Sequence, residues 1–145
     1  MNNTQVAAIF EPILGAQRCL TDAASAKQYG TDWTKVWEPA PSVVLLPETV
    51  EEVQAIVRAA NEHGIALVPS GGRTGLSAGA VAANGEAVVA MDRMNKVLEF
   101  NPYDRSVKVQ AGVVTQQLQE FAEEKGLFYP VDFASAGSSQ IGGNI

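Results

Sequence analysis

The spacing of apolar positions changes period twice between residues 42 and 68. Ser42–Leu46 (SVVLL) is a continuous apolar run, the pattern of a strand covered on both faces. Pro47 stops it. Thr49 and Glu52 then stand at capping-box spacing, and Val50, Val53, Ile56, Val57 and Ala60 recur on one helical face. Gly64, directly after His63, suits a helix C-terminus, and Ile65–Val68 (IALV) reads as a second buried strand. This strand–helix–strand series predicts a βαβ unit whose two strands are parallel neighbours.

The flanking regions are read in the same way. Residues 4–28 are helical in two pieces, broken near Pro12–Gly15, and Tyr29–Pro41 has no period and forms an irregular connection. Ala87–Met91, Val97–Phe100 and Ser106–Gln110 are further strands. Val114–Lys125 is a helix with Thr115 as N-cap, an apolar face of Leu118, Phe121 and Ala122, and Gly126 closing it. The tail FYPVDFASAGSSQIGGNI is rich in Gly, Ser and Ala and stops without a closing element, as a chain cut short would. There is no internal repeat.

Composition narrows the function classes. With 145 residues, 46% of them hydrophobic, the chain is one domain at most and can bury a core. A formal charge of −6 argues against nucleic-acid and anionic-membrane surfaces. No apolar run approaches the roughly 20 residues of a membrane span, and no basic-then-apolar leader opens the sequence. The single cysteine, Cys19, excludes an internal disulfide, and the cytoplasm is the expected compartment. His63 is placed to complement a helix dipole, with no metal-ligating partner nearby in sequence.

The densest chemistry lies in PSGGRTGLSAGA (residues 69–80), directly after the second strand. A Walker A loop is excluded because the stretch has no lysine. A dinucleotide fingerprint fails on spacing, and too few residues separate Gly75 from the next strand for a helix. Two readings remain: a concave nest of backbone N–H groups for a phosphate, its glycines permitting positive φ and leaving no side chains in the way of close approach, or a tight turn facing solvent. Thr74 and Ser77 can add hydroxyls, while Arg73 either contacts phosphate or points to water. The tail repeats the chemistry in Gly137, Ser138, Ser139, Gly142, Gly143 and Asn144, after Pro130 and Asp132. Two such loops suit an elongated phosphate-bearing ligand; a dinucleotide such as FAD would fit. Asp132 either orients its loop or caps a turn. Trp33 and Trp37 are read as packing residues, and Glu51, Glu52, Glu123 and Glu124 as solvated helix faces.

Four pieces, in order and spacing, carry a resemblance: PSVVLLPETVEEVQAIVRAANEHGIALVPSGGRTGLSAGA, MDRMNKVLEFNP, VQAGVVTQQLQEFAEEKGLFYPVD and ASAGSSQIGGN, with TDW (Thr31–Trp33) upstream. Together they resemble the FAD-binding domain of the vanillyl-alcohol-oxidase type (PCMH-type), in the manner of FAD-linked D-2-hydroxyacid dehydrogenases acting on D-2-hydroxyglutarate, D-lactate or glycolate. The resemblance implies an α+β fold, a type-2 FAD-binding subdomain with a βαβ start and a small mixed sheet flanked by helices. It divides the chain into an N-terminal helical segment and connection (residues 1–40) and the first part of the FAD-binding domain (residues 41–145). A second FAD subdomain and a substrate cap domain would follow.

The implied cofactor residues are Pro69, Ser70, Gly71, Gly72, Arg73, Thr74, Gly75, Leu76, Ser77, Gly79 and Ala80 around the pyrophosphate. Pro130, Asp132, Ala134, Ser135, Ser138, Gly142, Gly143 and Asn144 are implied along the ribityl and pyrophosphate portion. Some relatives attach FAD through a histidine at the position of Arg73, so arginine here implies non-covalent FAD. Ala78 stands where glycine is common. The catalytic histidines, metal ligands and substrate-binding arginines of the family are not matched. The implied parent is a flavoprotein oxidoreductase that oxidises a small 2-hydroxyacid and passes electrons to an external acceptor. It would lie free in the cytoplasm or at the periphery of a membrane electron-transfer chain. Two other readings stand beside it, a non-catalytic nucleotide- or phosphate-binding module and a flavin oxidase of another substrate class on the same fold.

Overall fold

A computed structural model describes Met1–Ile145. Five helices, α1 (Asn3–Leu14), α2 (Ala23–Tyr29), α3 (Val50–His63), α4 (Thr115–Glu124) and α5 (Ile141–Asn144), accompany six strands. These are β1 (Cys19–Leu20), β2 (Val43–Leu45), β3 (Leu67–Ser70), β4 (Ala87–Ala90), β5 (Val97–Asn101) and β6 (Ser106–Val109). The result is a mixed α+β fold.

The first sheet has the order β1-β2-β4-β3, with β4 parallel to both β2 and β3 and β1 antiparallel to β2. The expected βαβ unit is present as β2–α3–β3, but its strands are not neighbours. β4 lies between them, pairing Val43 with Ala87 on one side and Leu67 with Ala87 on the other. The apolar run AVVA explains the place. Every residue of β4 is buried, which suits a central position better than an edge.

Alternate residues of the central strands feed two cores. Val43, Leu45, Ala87 and Val89 face α1 and α3, where they pack with Val6, Ala7, Phe10, Leu14, Ile56 and Ala60. Val44, Leu46, Val88 and Ala90 face the other way, against Ala82, Tyr29 and Leu20. The N-terminal segment therefore shares the first core. It is continuous through Pro12, which lies inside α1, and the break falls at Gly15. The two-residue strand β1 has too short a pattern to be read from sequence.

Helix α3 starts as expected. The Thr49 hydroxyl accepts from the Glu52 N–H at 3.2 Å, and Gly64 closes the helix at φ 64°. Glu52 is not a solvated carboxylate, however. It accepts from both terminal guanidinium nitrogens of Arg18 at 2.8 and 2.7 Å and from the Glu48 N–H at 2.7 Å. Thr115 opens α4, but as its first helical residue; Val114 is the cap. Trp33 and Trp37 are 69% and 57% exposed, so neither is a core residue. The β5–β6 hairpin, α4 and α5 share a smaller core of Val113, Leu118 and Ile141, joined by an edge-on Phe100–Phe121 contact.

Phe10 is fully buried among both helices and sheet. Phe10→Ala is expected to lower unfolding free energy by about 3–5 kcal/mol in urea titrations; a loss below about 1 kcal/mol would contradict this packing. The hydrogen bonds from Arg18, the largest influence on Glu52, hold its carboxyl below the ordinary value of 4.5. Its contribution is thus complete above that value and is lost as the pH falls through the lowered folded one. Glu52→Gln should flatten the acid limb of a stability–pH profile in that window and leave the slope near neutrality unchanged.

Candidate functional site

Residues 71–86 connect the parallel neighbours β3 and β4 without a helix. The stretch PSGGRTGLSAGA occupies the first part of this crossover, beyond the carboxyl end of β3. Its glycines do not adopt the positive φ expected of them. The positive φ values belong to Arg73 (58°) and Ala78 (61°), and Gly71, Gly72, Gly75 and Gly79 all lie outside the left-handed region. Close approach accounts for Gly72: a Cβ there would overlap the Ser138 carbonyl and lie 2.8 Å from the Ser139 Cα. Gly71 faces the Gln140 side chain, whereas Gly75 and Gly79 have nothing within 4 Å of an added Cβ. Gly72 lets a second loop pack closely; Gly75 and Gly79 leave open space.

Each left-handed residue is pinned by an aspartate. Such a conformation costs a non-glycine residue about 1–2 kcal/mol. Arg73 donates from both terminal nitrogens to the Asp92 carboxylate at 3.0 and 2.9 Å, with its guanidinium 5.1 Å from the Tyr29 ring centroid. Its guanidinium is held by that pair at the edge of the cleft. The Ala78 N–H donates to Asp32 Oδ2 at 3.0 Å, while Oδ1 accepts from the Thr34 N–H at 3.0 Å and the Thr34 hydroxyl at 2.6 Å. The Thr34 hydroxyl does most to hold the Asp32 carboxyl below its usual range, against the effect of burial. The Trp33 N–H adds a tie to the Gly75 carbonyl at 3.2 Å.

The second loop is built against the first. Its hydroxyls form a buried set, Thr115 Oγ1 lying 2.8 Å from Ser139 Oγ and accepting from the Asn144 amide at 2.7 Å. The Gly142 N–H donates to the Ala111 carbonyl at 2.8 Å, and a Cβ on Gly142 would come within 2.6 Å of the Ala111 Cβ. Between the loops runs an open cleft of about 440 Å³. Pro69, Gly71, Gly72, Arg73, Thr74, Gly75, Leu76, Ser77, Gly79 and Ala80 line one side, and Gly142, Gly143 and Asn144 the other.

The remaining expected residues stand elsewhere. Ser70 is fully buried beneath the cleft and gives its hydroxyl hydrogen to the Tyr29 carbonyl at 2.9 Å. Pro130, Asp132, Ala134, Ser135 and Ser138 do not line the cleft. Asp132 borders a separate depression with Gln119, Glu123, Phe128 and Tyr129. The Ser135 carbonyl accepts from the Ser138 and Ser139 N–H groups, and Ser138 abuts Gly72 through its backbone, so both shape the loop from behind. Met91, Ala111 and Gln140 complete the lining and were not foreseen. Gln140 is buried, yet its Oε1 has no partner in the protein. Its position before the IGGN turn was the one available signal.

The backbone N–H groups of residues 71–77, 79 and 80 find no acceptor in the protein. With the Arg73 charge matched by Asp92, attraction for an anion must come from these amides. The free donors, the unpartnered Gln140 oxygen and the open space at Gly75 and Gly79 fit an elongated ligand bearing phosphates. No histidine or cysteine lines the cleft. Cys19 is buried in the first core, its thiol pushed up to about 11 by that burial. No group of three or more His, Cys, Asp or Glu side chains is placed to hold a metal ion.

A family model described as "FAD binding domain" matches residues 41–145. The chain belongs to this FAD-binding family. Among curated proteins, this chain is 69% identical over 128 residues to D-2-hydroxyglutarate dehydrogenase of Stutzerimonas stutzeri, covering 88% of the chain and 28% of that relative. The Xanthomonas citri protein of the same name is 56% identical, with 90% and 28% covered. The mitochondrial one of Arabidopsis thaliana is 33% identical, with 94% and 24% covered. The chain thus spans about a quarter of the length of these relatives. Among solved structures, an alkyldihydroxyacetonephosphate synthase superposes with TM-score 0.80 at 23% identity, covering 92% of this chain and 28% of the other. p-Cresol methylhydroxylase gives 0.75 at 24%, with 93% and 27% covered. At these identities the likeness is one of fold, and it is the fold that the resemblance implied.

The two kinds of glycine should respond differently to substitution. Gly72→Ala is expected to cost about 1–3 kcal/mol, since the Ser138 backbone must move. Gly79→Ala should change stability by about 0.5 kcal/mol or less. Equal effects in thermal unfolding would contradict the contact between the two loops.

Proposed function

We propose that this chain is the FAD-holding part of a flavin-dependent enzyme that oxidises a small 2-hydroxyacid, D-2-hydroxyglutarate being the member of that class named by its relatives. The observation that carries the reading is a loop whose amides at residues 71–77, 79 and 80 have no protein partner and which lines one cleft with Gly142, Gly143 and Asn144. Backbone donors of this kind suit a pyrophosphate, and Gly75 and Gly79 let it approach the main chain. Gln140 would complete its hydrogen bonding with the bound cofactor. When bound, FAD supplies the two-electron acceptor for oxidation at the substrate carbon, and an external acceptor then takes the electrons. The chain's own residues bind and orient.

Non-covalent attachment belongs to the same proposal. Arg73 stands where the resemblance implies histidine in covalent relatives, and its guanidinium is engaged by Asp92. So does the organisation of the parent, in which residues 41–145 form the first part of the cofactor domain and substrate-handling groups come from elsewhere. No helix is long and apolar enough to cross a membrane. The proposed compartment is the cytoplasm, with the parent free there or at the periphery of a membrane electron-transfer chain.

Calorimetric titration with FAD, and with NAD and ATP in parallel, tests the assignment. FAD should bind saturably and in preference to both. Gly79→Asp, which places a carboxylate in open space beside the free amides, should weaken it by at least about tenfold through charge repulsion. Preference for NAD or ATP, or no FAD binding by the unmodified chain, would contradict the reading.

A further inference from the structure

Asp32 is 2% exposed and makes no ion pair within 4.0 Å, which is an unusual place for a carboxylate. Its two oxygens have separate partners. Oδ1 closes the local turn through the backbone and hydroxyl of Thr34, a task that asparagine performs equally well. Oδ2 reaches across to the Ala78 N–H, at the left-handed residue in the middle of the free amides. The neighbouring Trp33 N–H grips the same loop at the Gly75 carbonyl. Segment 32–34 thus holds the loop at two points three residues apart.

We propose that Asp32 is a positioning residue for the cofactor loop, its carboxylate holding the Ala78 amide so that the amides on either side are presented before the cofactor arrives. The role rests on the FAD reading above. Electrostatics alone would select against this residue, because an anionic side chain beside an anion site repels the ligand. Its value therefore lies in geometry. The lowered pKa of the group is in keeping with a carboxylate that stays ionised while it accepts these bonds.

The substitution Asp32→Asn separates the two effects. It keeps an oxygen for the Thr34 turn, sets an amide donor against the Ala78 donor, and removes a negative charge. If Asp32 acted only through charge, the variant would bind FAD more tightly. If it positions the loop, FAD and ADP, which share the pyrophosphate, should both bind about tenfold more weakly by calorimetry. Asp104→Asn is the matched control, an aspartate that holds the turn at Ser106 in the distant hairpin; it should leave both affinities unchanged. Amide hydrogen exchange in the unmodified, ligand-free chain supplies a second readout. Ala78 should exchange at least about tenfold more slowly than Leu76 and Ser77.

Equal or tighter FAD binding by Asp32→Asn would overturn the proposal. So would fast exchange at Ala78, and that measurement decides the matter if the variant does not fold. Failure of the unmodified chain to bind FAD counts instead against the cofactor reading, because the ligand-free exchange experiment reports the hold of Asp32 by itself.

Discussion

Arg73 and Ala78 lie in a backbone region that side chains disfavour, and the aspartates that hold them shape the loop between. Asp92 takes the Arg73 guanidinium, and Asp32 takes the Ala78 N–H. Without these bonds the loop would be free to relax into ordinary turns that satisfy their own amides. With them, the N–H groups of residues 71–77, 79 and 80 are left without protein acceptors. Local strain is thus converted into a row of donors beside a cleft. The sheet makes the arrangement necessary. Because β4 inserts between β2 and β3, the chain must cross from the end of β3 to the start of its parallel neighbour, and it does so without a helix.

A chain of charge −6 that receives a phosphate-bearing cofactor needs a source of attraction other than net charge. The one arginine in the loop is matched by a carboxylate, so in the proposed reading the main chain supplies it. Recognition by backbone amides depends on shape and little on side-chain identity. That suits a fold shared, at 23% and 24% identity, with proteins as differently named as an alkyldihydroxyacetonephosphate synthase and p-cresol methylhydroxylase.

Much of this was legible in the sequence. The apolar run of β2, the amphipathic period of α3 and the capping signal at Thr49 are local features, and each element formed where its pattern lay. The two glycine loops were visible as composition, and they do face each other. What escaped was long-range. Nothing in AVVA says which strands it will separate, and a two-residue strand such as β1 has no period to detect. The reason for Gly72 lies in the backbone of Ser138, far along the chain. Asp32 and Asp92 were missed because each acts on a residue distant in sequence, as did Arg18 on Glu52. Pro130, Asp132, Ala134 and Ser135, implied at the cofactor by resemblance, do not line the cleft, to which the loop contributes residues 140 and 142–144.

The most direct measurement is a two-dimensional ¹⁵N–¹H spectrum of the labelled chain recorded with and without FAD. If the pinned loop receives the pyrophosphate, the largest amide shifts should fall on residues 71–77, 79 and 80. The Ala78 amide, already bonded to Asp32, should move much less. Shifts concentrated at residues 130–135, or spread evenly over the chain, would contradict a backbone cradle held ready between Arg73 and Ala78.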